Sequence, residues 1–449
     1  MHRPSPTLAF VVLATAATLA TGAAAADSAS QARATETRNI GAFSAIDIAG
    51  PFDVQVDAEA PRALRLSGPA AELAEIETFV DRDTLVVRRK SRSGWHFSFG
   101  KRSEPVMVTI GTPQLNSLRN TGSGDVRLDR ARGDTLQLTV SGPGDLQANG
   151  NVRELSVRGS GSGDIDLRGL RAATLRIKMS GPGDVEAAGI TRELAADVTG
   201  SGDLDVNDIA ADKVSATLTG PGSVALQGRS REIHATLAGS GDLDACSLAV
   251  EGASANLSGP GSACVAGTIR TMEARVRGSG DLEARGLQTQ SLRAELDGPG
   301  SMKLSGTTGT LEASVSGSGD FDGEELAAGR AVVRGHGPGN IALQRVTDTL
   351  DAELRGSGGL STALDAKSVR LTLAGPGGAH LQGRTARLAA QLSGSGSIDG
   401  RALQADQAQV TVRGPGNAVV NVRGKLETHG RGGADRLVNI DREGTQDAR

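Results

Sequence analysis

The chain has no tyrosine, one tryptophan and seven phenylalanines in 449 residues, so aromatic side chains make up only 2% of it. A core built around large rings is excluded, and Leu, Val, Ile and Ala must fill the interior. Only Cys246 and Cys264 occur, so a disulfide framework does not hold the fold together. In an oxidising compartment the two could pair with each other or stay free. The formal net charge of −4 is small for this length and does not draw the protein onto nucleic acid or an anionic membrane. Downstream of Ala26 no apolar run approaches the roughly 18 to 20 residues of a spanning helix, so no membrane-spanning segment is expected in the mature chain.

What the sequence has in abundance is glycine, 62 residues of it, and much of it is periodic. At sixteen places from Gly122 to Gly416 the chain reads Gly-(Ser or Pro)-Gly, with the middle residue alternating strictly between Ser and Pro. The leading glycines are evenly spaced, as in Gly122, Gly142, Gly161, Gly181 and Gly200. A period of this size, about 20 residues to the step, marks a repeat architecture. Apolar residues alternate after each motif, as in Leu204, Val206, then Val214, Ala216, Leu218, which is strand patterning. Such short strands cannot bury themselves alone, so the chain must coil and stack each turn on the last. The expected fold is all-β, a right-handed parallel β-solenoid (β-helix) with 39-residue paired repeats.

Gly-Pro-Gly suits a sharp corner, with Pro fixing φ and the following Gly taking the positive φ of a type II turn. The acids behind the Ser corners, Asp125, Asp164, Asp203, Asp242, Asp281 and Asp320, are expected to be structural turn caps. Two coil sizes fit. A coil of about 39 residues puts like corners on like, giving a body of roughly 38 Å; sixteen coils of about 20 residues give about 77 Å. Like-on-like stacking favours the larger coil, against the repulsion of an aligned row of aspartates.

Four segments follow from composition. Residues 1–26 read as a cleavable export signal, with basic His2 and Arg3, an apolar run from Leu8 to Ala20, and small Ala24 and Ala26 near its end. Residues 27–121 hold most of the aromatics and read as an N-terminal β lead-in or capping unit, with strands at 45–56, 63–66, 84–89 and 106–110 and a single helical turn at 71–77. Residues 122–424 are the sixteen half-repeats, and 425–449 a polar C-terminal cap or tail.

Gly41-Ala42-Phe43-Ser44-Ala45-Ile46-Asp47-Ile48 with Phe52-Asp53-Val54-Gln55-Val56, then Thr84-Leu85-Val86-Val87, and Pro113-Gln114-Leu115 before Gly122-Ser123-Gly124-Asp125, resembles the family called putative autotransporter adhesin, head GIN domain. The resemblance spans nearly the whole mature chain and implies an exported bacterial β-helical domain with no catalytic residues to carry over. The segment from Lys425 to Arg449 is too short for an export barrel, so the expectation is not a self-exporting autotransporter.

The densest non-repetitive chemistry is Arg88, Arg89, Lys90, Arg92, Trp95, His96, Phe97, Phe99, Lys101 and Arg102. Cations beside rings could hold an anionic glycan. The plainer reading is an aromatic strand pair covering the solenoid end beside a solvated basic loop. Calcium repeats recur at about nine residues, a spacing that steps of about 20 residues refuse, so no metal is expected. His2, His96, His234, His336, His380 and His429 form no catalytic pattern, and no cofactor is implied. The leading expectation is a non-catalytic binding or structural surface in the periplasm or at the cell surface, its partner an envelope glycan or another envelope protein. The alternative is a carbohydrate-active β-helix enzyme, favoured if carboxylates converge in a groove.

Overall fold

In the computed structural model, Leu204 lies beside Val224 and Val224 beside Leu243, all in parallel register. Each coil therefore spans a single half-repeat, one from Leu204 to Val224 and the next from Val224 to Leu243. The structure describes residues 33–90, 106–431, 437–440 and 446–447. It is a parallel β-solenoid of about 17 turns, which at strand spacing makes a rod of about 80 Å.

The paired unit is therefore the chemical repeat and not the coil, and Pro corners stack on Ser corners. Two physical reasons decide this. The recurring backbone bond between corners comes from the second glycine's amide, as in Gly222 N to Gly200 O at 3.1 Å and Gly241 N to Gly220 O at 3.1 Å. The missing amide of a proline at the middle position therefore costs nothing. A coil twice as large would also enclose a cross-section that Leu, Val and Ala cannot fill at interior density.

Each coil turns three times. In the strand Leu204–Leu218 the inward residues are Leu204 and Val206, then Ile209 and Ala211, then Val214, Ala216 and Leu218. Two adjacent exposed residues separate each group, and the glycine corner closes the circuit. Asp208 takes a positive φ of 53° at the first of these breaks, where Gly228 and Gly267 stand in the following Pro-corner coils. The core is one continuous column of apolar side chains. Phe321 is the single aromatic in the array and is fully buried; at Gly323 beside it a Cβ would lie 2.8 Å from the Ala342 carbonyl oxygen and 3.2 Å from the ring.

The corner glycines are required for a reason other than the one expected. Among the described residues no second glycine of a corner has a positive φ. Instead the corners stack so closely that a Cβ on Gly200 would lie 2.1 Å from Gly181 O, and one on Gly202 2.1 Å from Gly183 O. From Gly298 onward the first glycine of the corner does turn positive, at 129° there and 117° at Gly414.

The N-terminal region contains a further corner. β1 (Arg33–Arg38) precedes β2 (Ala45–Ala49) and β3 (Asp53–Asp57), which were expected as one strand. Gly50-Pro51-Phe52-Asp53 breaks them because it is itself a corner, against which Gly122 and Gly124 stack. β4 (Ala63–Pro69), the single turn α1 (Ala70–Leu73), β5 (Ile76–Asp81), β6 (Thr84–Arg89) and β7 (Met107–Gly111) then form the cap. β6 and β7 continue the parallel stack outward on β2 and β3, whereas β1–β4, β4–β7 and β5–β6 pair antiparallel. Among the described residues the parallel stack gives way here to an antiparallel rim, an arrangement that blunts an open sheet edge. Arg38 ties it together by donating to the carbonyl oxygens of Ile76 at 2.7 Å and Leu73 at 3.0 Å. β8 (Ser117–Asn120) returns the chain to the stack beside β2.

Candidate functional site

With one half-repeat to a coil, the fourth corner position makes a single row in which Pro-corner acids join Ser-corner acids. Asp125, Asp145, Asp164, Asp184 and Asp203 are consecutive, with Asp53 on the preceding coil. Beyond them Asp alternates with Ser as far as Asp320, and Asn340 and Gly359 follow. The acids were expected to cap their own turns, but their bonds run between coils. Asp125 Oδ1 accepts the Asp145 amide at 3.1 Å, Asp164 Oδ1 that of Asp184 at 2.9 Å, and Asp203 Oδ1 that of Ser223 at 2.8 Å. The same bond recurs from Asp242, Asp281 and Asp320 to Ser262, Ser301 and Asn340 at 2.7–2.8 Å. Charge-assisted bonds of this kind offset the repulsion of aligned carboxylates. Asp145 and Asp184 escaped the sequence reading because it sorted the corners by their middle residue.

Two positions further on, Asp166, Glu186 and Asp205 add a second acidic row beside the first. A groove of about 600 Å³ runs between them at the N-terminal end, lined by Asp53, Asp125, Asp145, Asp164 and Asp166 with Arg127. Carboxylates do line a groove, and Asp166 among them is tuned away from the role of a general acid. The Arg168 guanidinium hydrogen-bonds Asp166 at 2.9 Å and holds its carboxyl at about 2, against the smaller opposing effect of burial. A general acid needs the opposite shift. Four aspartates of the groove already accept an amide from the next coil.

Of the basic and aromatic cluster, Arg88, Arg89 and Lys90 lie within the described residues; Arg92, Trp95, His96, Phe97, Phe99, Lys101 and Arg102 lie outside them, as do residues 1–26, expected to be an export signal. Arg88 pairs with Glu77 at 2.8 Å and covers the Phe79 ring at 5.0 Å. Arg89 pairs with Glu72 at 2.6 Å, and Lys90 donates to the Ala74 carbonyl at 2.7 Å. All three are occupied in fastening β6 to its neighbours in the cap. Cys246 and Cys264 form a disulfide between adjacent coils, with Cα atoms 5.3 Å apart. His234 and His380 sit on outward rows beside Glu232 and Asp399, at 3.8 and 3.5 Å. Among the described residues no group of three or more His, Cys, Asp or Glu side chains is arranged to hold a metal, and no helix is long and apolar enough to cross a membrane.

A third feature has no counterpart in the sequence reading. A trough of about 610 Å³ runs along the side after the last bend of the coils opening between Gly317 and Gly414, and Arg330, Arg370, Arg387 and Lys425 line it. Its only advance signal is a basic residue recurring at neighbouring coil positions, which shows once the coil length is known.

The geometry defines a parallel β-solenoid that displays long rows of polar side chains around a sealed apolar column. The family model for the putative auto-transporter adhesin, head GIN domain, matches residues 42–228, 191–270, 265–363 and 347–438, and the chain belongs to that family. No curated protein matches it. Among solved structures it is similar to a putative adhesin from Bacteroides fragilis, 17% identical over 60% of this chain and 99% of that one, with a TM-score of 0.34. It is also similar to a putative lipid binding protein from Parabacteroides distasonis, 12% identical over 89% of this chain and 95% of that one, TM-score 0.22. A putative adhesin from Parabacteroides merdae is 11% identical over 89% and 96%, TM-score 0.23.

Proposed function

We propose that the protein is a non-catalytic, exported β-solenoid whose sides serve as a binding or structural surface in the bacterial envelope. The observation that carries this reading is the form of the display. The outward rows run unbroken from coil to coil, and the grooves between them are open along the rod, a geometry for extended partners and not for enclosing a small substrate. Membership of an adhesin-named family and the signal-like segment from Met1 to Ala26 agree with export. The antiparallel cap supports a role as a discrete rod, since it blunts one end against strand addition.

A glycan array probed with the mature protein, together with fractionation of the source cells, tests the reading. Binding to an envelope glycan and recovery in periplasm or at the surface are expected. Cytoplasmic recovery, or turnover of a polysaccharide into shorter products, would overturn it in favour of another class.

A further inference from the structure

We infer that the trough on the coils opening between Gly317 and Gly414 is the docking track, and that its occupant is a linear polysaccharide bearing carboxylate or sulfate groups. The inference rests on the binding-surface reading and names the place and the chemistry of the partner.

The trough follows two adjacent outward rows. In one, Val332, Asp351, Arg370 and Ala389 stand in direct register on successive coils, and in the other Arg330, Thr349, Ser368 and Arg387 do the same. Val332 and Ala389 line it with small apolar side chains between the charged ones. Four cations line it, Arg330, Arg370, Arg387 and Lys425, against two acids, Asp351 and Glu427. Glu427 is taken by Lys425, and Asp351 stands 3.8 Å from Arg370. Arg387 has no ion-pair partner among the described residues, and Arg330 reaches only Asp348, at 3.8 Å. The trough therefore carries surplus positive charge within a protein whose net charge is −4.

The arrangement selects its ligand. Cations recur along the axis at multiples of the coil spacing, about 4.8 Å, so a chain with regularly repeated anionic groups meets them in line. Guanidinium groups take carboxylate or sulfate by paired hydrogen bonds. Stacked nucleic-acid bases have no partner, since the one aromatic of the repeat array, Phe321, is buried in the core. The acidic rows of the other end repel the same polymer and confine it to these coils.

The test uses the mature chain with polygalacturonate, neutral dextran and vesicles of anionic phospholipid as probes. Salt-sensitive binding to polygalacturonate and none to dextran is expected. The single variant Arg387→Gln, which breaks no ion pair, should weaken binding several-fold, and the triple variant Arg330→Gln, Arg370→Gln, Arg387→Gln by about tenfold or more. Removing as many charges elsewhere, at Lys213, Arg229 and Arg231, should leave binding nearly unchanged. Equal loss in both triple variants, unaltered binding in the trough variants, or binding to vesicles alone would overturn the inference. If the array of the preceding subsection finds another glycan while polygalacturonate fails, the docking track is wrong and the binding-surface reading stands.

Discussion

The corners from Gly122 to Gly278 and those from Gly298 to Gly414 share one motif and differ in backbone. In the first set a Cβ on the leading glycine meets the carbonyl oxygen of the coil below at 2.0–2.4 Å, and no leading glycine has a positive φ. In the second set that approach relaxes to 2.4–2.9 Å while φ lies between 104° and 132°. The strands lengthen at the same point, the one ending at Asp297 being the first in the array after Gly122 to run up to the next leading glycine. One residue type thus answers two demands, close contact in the first set and a left-handed backbone in the second. The charge changes nearby: the corner row is acidic through Asp320 and neutral from Asn340 onward.

Substitutions can break that comparison, and the largest effect is expected at its root. Gly200→Ala drives a methyl group into backbone and should cost about 3 kcal/mol or more locally. Gly356→Ala combines a looser clash with an unfavourable φ and should cost less, about 1–3 kcal/mol. Because coils contact only their neighbours, hydrogen exchange resolved by coil is the proper readout. Equal effects at the two sites would dissolve the distinction. Next comes the disulfide of the early set. Cys246→Ser with Cys264→Ser opens a short loop and should release up to about 3 kcal/mol of constraint. Faster exchange confined to the coils opening at Gly239 and Gly259 is the expected sign.

Acid should act on the early set in particular. The Asp166 carboxyl is held at about 2 against its ordinary 3.8, so its contribution is complete above pH 3.8 or so and is lost as pH falls toward 2. The loss should be on the order of 1 kcal/mol after allowance for solvent screening. Asp166→Asn should flatten the acid limb of a melting-temperature profile, and an unchanged profile would sink the assignment. The smallest effect separates hydrogen bonding from charge in the corner row. Asp164→Asn keeps an acceptor for the Asp184 amide and removes a like charge, so stability at neutral pH should move by less than about 0.5 kcal/mol. Asp164→Ala loses the acceptor and should cost about 1 kcal/mol. Paired thermal melts decide between them.

Period, strand content and the corner motif were legible because each rests on a local rule: alternation, glycine spacing, turn chemistry. The coil size was not, because the Ser and Pro alternation suggests like on like until one sees that, apart from the Ser123 amide on Gly50, the recurring inter-coil bonds of the corner come from its glycines. The corner at Gly50 was hidden because Phe52, almost fully buried, stands where every later corner has glycine, and because the cap separates it from Gly122. The partners of Arg88 and Arg89 were equally opaque, since Glu77 meets Arg88 across an antiparallel pairing and Glu72 reaches Arg89 from the helical turn, neither of which any period announces. The trough could not be seen at all before the coil length was fixed, because rows across coils exist only in register.

The corner carboxylates also give the rod a sense of direction. Each accepts the backbone amide of the coil that follows, so these side-chain bonds all run from a later coil back to an earlier carboxylate, as from the Asp164 amide to Asp145 and from the Asp203 amide to Asp184. A chain delivered from its N-terminus presents every new corner to an acceptor already held in place. The corner carboxylates thus share one sense along the rod, while the strand amides beside them, as from Val126 to the Asp145 carbonyl at 2.8 Å, point the other way and tie each coil in both directions.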